Sequence, residues 1–331
     1  MTPEEKSYRA VVNRIAICLL VFCALFFAYS NFMGVVMGLA ASMSPVAGTV
    51  LYEIVYGVLY AATFLLPVLL FRLLSGGRGT APIATAWRMP RYTLLYIFVS
   101  IAIISAAGYL NSMLLEIFEY GEFTDDVLFE ADISTNYELV LMFFTTAIVP
   151  AFVEELLFRG VVLGNLLPYG RTTAVLASAL LFGAMHQNAG QLLYATVAGL
   201  VLGYIYVYTK SIWCCVLIHF CNNFLSVLNV GIYERMGSDT AVAVLYLIEL
   251  IVFLIGILCA VRLMYLERDR KEELLQEGAF LKTVDPDPEH TLIDISFSRR
   301  VRLFFSVPMI VFLSLCVAQM LLLLLLSLVM T

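Results

Sequence analysis

Charge is what this sequence has least of. Asp, Glu, Lys and Arg make up 13% of its 331 residues, where soluble domains carry about 25%. The apolar share is 62%, above the usual figure of about 45–50%. This scarcity excludes an ordinary soluble fold. Apolar runs of about 20 residues, the length that crosses a bilayer, recur along the whole chain. The net charge of −6 sits in a few loops and forms no basic stripe, so nucleic acid is not a partner. The seven cysteines (Cys18, Cys23, Cys214, Cys215, Cys221, Cys259 and Cys316) all lie in apolar runs, where cysteine behaves as a small hydrophobe. They give neither a disulfide framework nor a CxxC metal site. The GxSxG nucleophile turn and the HExxH zinc helix are both missing. Histidine is scarce too, at three residues.

What is present is an all-α pattern: a polytopic bundle of about nine transmembrane helices. The spans fall at roughly 11–39, 48–74, 92–117, 138–163, 173–187, 191–209, 211–231, 241–265 and 303–329, judged by the length needed to cross. The run from Ala10 to Leu39 is too long for a signal-peptide core and reads as a retained first span. The fifth and sixth spans are short and joined by a brief polar link, as tilted or re-entrant helices would be. Arg72, Arg78, Arg88, Arg91, Arg171, Lys210 and the basic residues between Arg268 and Arg302 share one face of such a bundle. The loop between spans three and four is acidic, from Glu116 to Glu138. The positive-inside rule then puts the N-terminus in the cytoplasm and the C-terminus outside, in the cell membrane if the source is bacterial. Three regions follow: helices 1–137 with the acidic outer loop, a polar-bearing core 138–231, and helices 232–331 with a charged cytoplasmic segment 267–302. In that segment Asp285-Pro-Asp-Pro288 breaks any helix, and the stretch reads as a solvated linker.

The core carries residues that an apolar span should not hold. Span four contains Glu154, Glu155 and Arg159, and each ionisable group at the bilayer centre costs about 2.5–3.5 kcal/mol on insertion scales. Glu155 and Arg159 are four apart with the acid first, the favourable order for a pair. Glu154 points about 100° away around the helix and lacks a partner. His186 closes span five, one turn after Phe182. His219 lies in span seven, one turn before Asn223. By contrast, Glu53 and Glu249 lack comparable neighbours and read as helix–helix contacts or interfacial residues. His290 reads as solvated, and Tyr204, Tyr206 and Tyr208 as an aromatic belt. Gly34/Gly38 and Gly199/Gly203 have the spacing of close helix packing.

A carboxylate beside an imidazole in a secluded cavity can hold and deprotonate a water. His219 and Asn223 can together offer donors to the oxyanion formed when water adds to a peptide carbonyl. Glu154, His186 and His219 also make up a His₂Glu set of the kind that holds zinc, so these residues alone leave a divalent metal open. No cofactor is favoured.

At these positions the chain resembles the CAAX-protease and bacteriocin-processing (Abi) family of intramembrane endopeptidases. Its EExxxR motif matches Glu154-Glu155-Leu-Leu-Phe-Arg159. Its FxxxH motif matches Phe182 to His186, and its HxxxN motif His219 to Asn223, in the same order and over roughly 138–231. The resemblance implies that Glu154 and His186 activate water, that His219 and Asn223 stabilise the oxyanion, and that Glu155, Arg159 and Phe182 support them. It implies a glutamate-type mechanism, although members are often labelled metalloproteases. The substrate expected is a peptide or membrane protein held at the bilayer, with other membrane proteins as further partners. Two other functions use the same residues: a non-enzymatic immunity or scaffold protein that keeps them for structure, and an ion-coupled transporter that uses them as a relay.

Overall fold

The structure is a computed structural model that describes residues 1–76, 89–117, 135–236, 238–276 and 295–330. Most of the acidic loop between spans three and four, Arg78, Arg88, the Asp285–Pro288 stretch and His290 lie outside the described residues.

Among the described residues ten helical segments follow one another: α1 (Pro3–Ala41), α2 (Pro45–Leu74), α3 (Thr93–Ile117), α4 (Asn136–Tyr169), α5 (Arg171–Met185), α6 (Ala189–Thr209), α7 (Ile212–Met236), α8 (Ser238–Gln276), α9 (Phe297–Phe304) and α10 (Val307–Met330). Among the described residues, eight of these are long and apolar enough to cross a membrane. The chain is an integral multi-pass membrane protein with an all-α polytopic fold.

The ninth span of the sequence reading, the fifth in order, is α5. At 15 residues and about 1.5 Å per residue it falls short of the roughly 30 Å hydrocarbon core. It starts after Gly170, which holds the left-handed φ of +135° that only glycine adopts readily. It ends in a tight turn where Gln187 also has positive φ and the Asn188 side chain caps α6 by accepting from the Gly190 N–H. The α5–α6 hairpin packs closely enough to exclude side chains at two glycines. A Cβ on Gly199 would lie 2.9 Å from Ala179 Cα, and one on Gly183 would lie 2.8 Å from the Leu192 carbonyl. The Gly199 spacing is therefore used in packing. The Gly34/Gly38 spacing is not, since a Cβ at either position meets nothing within 4 Å.

α4 is the least regular helix. It loosens into π-type turns at Phe143–Ile148 and Leu156–Leu163, with an ordinary α segment, Val149–Glu155, between them. Such turns in a helix are frequent at functional sites. On α2, Tyr52, Tyr56, Tyr60 and Phe64 recur every four residues and form a continuous aromatic ladder, joined from α1 by Tyr29 at Tyr56 and by Phe22 at Phe64.

The last part of the charged segment packs against the bundle and is not a solvated linker. Arg299 pairs with Glu5 at 2.7 Å, Arg300 donates to the Tyr169 carbonyl, and Ile295, Leu303 and Phe304 are buried. All seven cysteines are free thiols.

Candidate active site

Five polar side chains of the core come together where α2, α4, α6 and α7 meet. Glu154 and Glu155 diverge from α4 as adjacent helical positions must. Glu154 faces α2, where the Tyr60 hydroxyl donates to its Oε1 at 2.5 Å. Glu155 faces α7, where its Oε1 accepts from His219 Nδ1 at 2.9 Å. The same oxygen lies 3.0 Å from Arg159 Nη1, a close charge contact that lacks the alignment of a hydrogen bond. Arg159 is fully buried. It donates to the Gly199 carbonyl at 3.3 Å and lies over the Phe182 ring, 4.9 Å from its centroid.

The hydrogen bond to Glu155 sets the His219 tautomer. With its proton on Nδ1, His219 turns Nε2 toward Glu154, and the separation from Glu154 Oε2 is 3.9 Å. That Oε2 is buried and has no hydrogen-bond partner among the described residues. A buried carboxylate oxygen left in this state costs about 1–3 kcal/mol or more for a charged group, so this oxygen is the acceptor of the site that is open to a further donor.

His186 meets His219 by a different route. Its Nδ1–H donates to the Phe182 carbonyl at 2.8 Å, leaving Nε2 as an acceptor. Phe182 lies edge-on to both imidazoles, at 5.1 Å from His186 and 5.9 Å from His219. His186, His219 and Asn223 line one small cavity of about 50 Å³ together with Phe182, Tyr194 and Asn222, room for a water or two. Counted from the turn at Gly170, Glu154 lies fifteen residues before Tyr169 and His186 fifteen after Arg171. The end of α5 thus lies as many residues from the turn as Glu154 does.

Asn223 is anchored by a consequence of Pro150. Proline has no N–H for the carbonyl four residues earlier, which is that of Thr146, and Asn223 Nδ2 donates to that oxygen at 3.2 Å. One N–H of the amide remains for other use.

The imidazole within contact range of Glu154 is that of His219, whereas the resemblance pairs Glu154 with His186. Among the described residues no three His, Cys, Asp or Glu side chains are arranged to hold a metal ion. Sequence reasoning missed Tyr60, whose only signal was its place in the four-residue aromatic ladder. It also gave Glu155 a single partner, where the structure gives it two. Glu53 accepts from Thr145 on α4 at 2.7 Å, a helix–helix contact as expected. Glu249 instead lines a separate cavity.

Residues 136–225 match the family model described as type II CAAX prenyl endopeptidase Rce1-like. A Bacillus subtilis (strain 168) protein described as "Putative membrane peptidase YdiL" is 34% identical over 86 residues, which is 25% of this chain and 34% of that protein. The chain thus spans about a third of the length of this curated relative. No solved structure matches. Both matches fall on the segment that carries Glu154, His186, His219 and Asn223, and it is this segment that is similar to the type II CAAX prenyl endopeptidase family.

Proposed function

We propose that the chain is an intramembrane endopeptidase that hydrolyses a peptide bond with a water held between Glu154 and His219. The observation that carries this reading is the unpartnered Glu154 Oε2, buried 3.9 Å from His219 Nε2. Glu154 takes a proton from the water as it attacks the carbonyl carbon. Tyr60 holds the other carboxylate oxygen in place, and Glu155 holds the imidazole. The second N–H of Asn223 is the donor for the oxyanion. As the C–N bond breaks, the proton that Glu154 took from the water passes to the leaving amine, with His186, whose Nε2 is free beside His219, as the relay.

These roles need no metal, and the reading is of a glutamate-type peptidase. If a divalent ion were used, Glu154, His186 and His219 would be its ligands, and its chemistry would be to acidify the bound water. The substrate is a peptide or membrane-protein segment reached from the bilayer, and the N-terminus lies on the cytoplasmic side.

The test uses full-length protein in proteoliposomes with internally quenched peptides. Glu154→Gln and His219→Ala should each lower turnover by at least about 10²-fold while the protein remains monodisperse. Treatment with 1,10-phenanthroline should leave the wild-type rate unchanged. Full turnover in both variants would overturn the peptidase reading, and loss of turnover on chelation with recovery on adding zinc would replace the glutamate mechanism by a metal one. A scaffold protein would show no turnover in any form.

A further inference from the structure

A second and larger cavity lies beside the catalytic one. It measures about 500 Å³ and is walled by α3, the start of α6, α7 and α8, within the range of about 300–1,000 Å³ typical of ligand sites. Its walls are polar in a chain that is otherwise apolar: Ser105, Asn111, Gln191, Asn222, Asn229 and Glu249 all face it. Side-chain amides offer both donors and acceptors. A peptide backbone leaving water needs both, because unsatisfied N–H and C=O groups are costly within a membrane. A lipid tail needs neither.

Two residues join this cavity to the catalytic one. Tyr194 and Asn222 line both, and Asn222 Nδ2 donates to Tyr194 Oη at 2.8 Å. Asn222 also donates to Asn223 Oδ1 at 3.3 Å. A chain lying in the larger space therefore reaches Asn223 by passing one hydrogen-bonded pair, without crossing lipid.

Glu249 gives the cavity a sign. It lies within the apolar stretch of α8, and among the described residues no Lys, Arg or His lines the cavity. Among the described residues it has neither an ion-pair nor a hydrogen-bond partner. Ionisable groups within a span face a partner or a polar path, and among the described residues Glu249 has only the polar path of this cavity. Glu249 lies beyond the 136–225 match, so it is a feature of this protein and not of the matched core.

We infer that this cavity is the substrate vestibule and that Glu249 receives a cationic group of the peptide, either a Lys or Arg side chain or an α-ammonium. The inference rests on the peptidase reading, deepens it to a substrate class, and is tested by binding so that the two can fail separately.

The probes are fluorescein-labelled decapeptides identical except for Lys, Gln or Glu at the centre, each with a free or acetylated N-terminus. Binding to full-length Glu154→Gln protein in nanodiscs is read by fluorescence anisotropy. The expected result is that a cationic peptide binds at least about tenfold more tightly than its neutral twin, the scale of a charge-assisted hydrogen bond. Preference for central Lys assigns the side chain, and preference for the free over the acetylated N-terminus assigns the α-ammonium. Adding Glu249→Gln should remove the preference, and Ser112→Trp, which fills the cavity from α3, should weaken binding of every peptide. Equal binding of cationic and neutral peptides, by Glu154→Gln protein that is monodisperse and by the wild type at low temperature alike, overturns the inference, as does a preference that survives Glu249→Gln. Charge-selective binding without hydrolysis by the wild type would instead refute the peptidase reading and leave the cation site standing.

Discussion

Replacing Arg159 by Leu should destabilise the site at its most buried point. The change keeps an apolar side chain of moderate size and removes the guanidinium that contacts Glu155 at 3.0 Å, the Gly199 carbonyl at 3.3 Å and the Phe182 ring at 4.9 Å. Both Glu155 and Arg159 are fully excluded from solvent. Removing one member of a buried pair costs about 3–5 kcal/mol, because the other charge is left uncompensated. The lower end is expected here, since the Nη1 contact is misaligned and Glu155 retains His219 Nδ1 as a donor. Glu155→Leu alone strands the guanidinium and should cost a similar amount. The double variant strands neither charge, and apolar replacement of a whole buried pair is often close to neutral. The two single losses should therefore exceed the double loss by about 2 kcal/mol or more, within the range seen for residues in one network. The assay is reversible unfolding in SDS mixed micelles, read by Trp213, which packs against Phe152 of α4. Trp87→Phe makes it the sole tryptophan. Additive losses, or a loss under about 1 kcal/mol for Arg159→Leu, would refute the claim that this pair holds α4 in place.

Tyr60→Phe deletes the donor to Glu154 Oε1; turnover should fall by about tenfold or more, the scale of a hydrogen bond to a charged group, with little change in KM in the proteoliposome assay. Asn223→Ala leaves the Thr146 carbonyl without its donor and removes the oxyanion N–H. It should cost about 1–3 kcal/mol in the SDS titration and about 10²–10³ in kcat. Gly199→Leu forces a side chain against Ala179; overpacking of this kind costs about 1–3 kcal/mol, while Gly34→Leu, with nothing near it, should leave the unfolding midpoint where it was.

Helices and within-helix pairs were legible because they depend on local spacing alone. The apolar runs marked the spans, the four-residue offset brought Glu155 to Arg159, and the same offset put His219 and Asn223 on one face of α7. Contacts between helices were not legible in this way. Tyr60 is 94 residues from Glu154, and nothing local distinguishes its hydroxyl from those of Tyr52 and Tyr56 on the same face. The glycine pairs make the same point. Gly34/Gly38 and Gly199/Gly203 have identical spacing, yet only the second meets a neighbouring helix, because spacing fixes a stripe and not what lies opposite it. Glu249 read as a packing residue for this reason too: its surroundings come from α3 and α7, which the sequence of α8 cannot show.

The irregular stretches of α4 and the short α5 belong to one arrangement. A regular full-length span five would carry His186 about a turn or more past Glu154, and a regular α4 would satisfy the Thr146 carbonyl within itself. Instead Pro150 withholds an N–H from Thr146, and Asn223 on α7 supplies one. Gly170 permits the turn that starts α5 level with the end of α4, and α5 stops after 15 residues. Each departure removes a local backbone preference and replaces it with a contact or depth set by another helix. That exchange accompanies a site in which Tyr60 of α2, Glu154 and Glu155 of α4 and His219 of α7 meet, while His186 of α5 and Asn223 share a cavity with His219. The motif residues supply the chemistry, and the backbone exceptions between them supply the geometry. A sequence that kept the motifs but lost Pro150, or lengthened α5 by a turn, should therefore insert normally and lack the site.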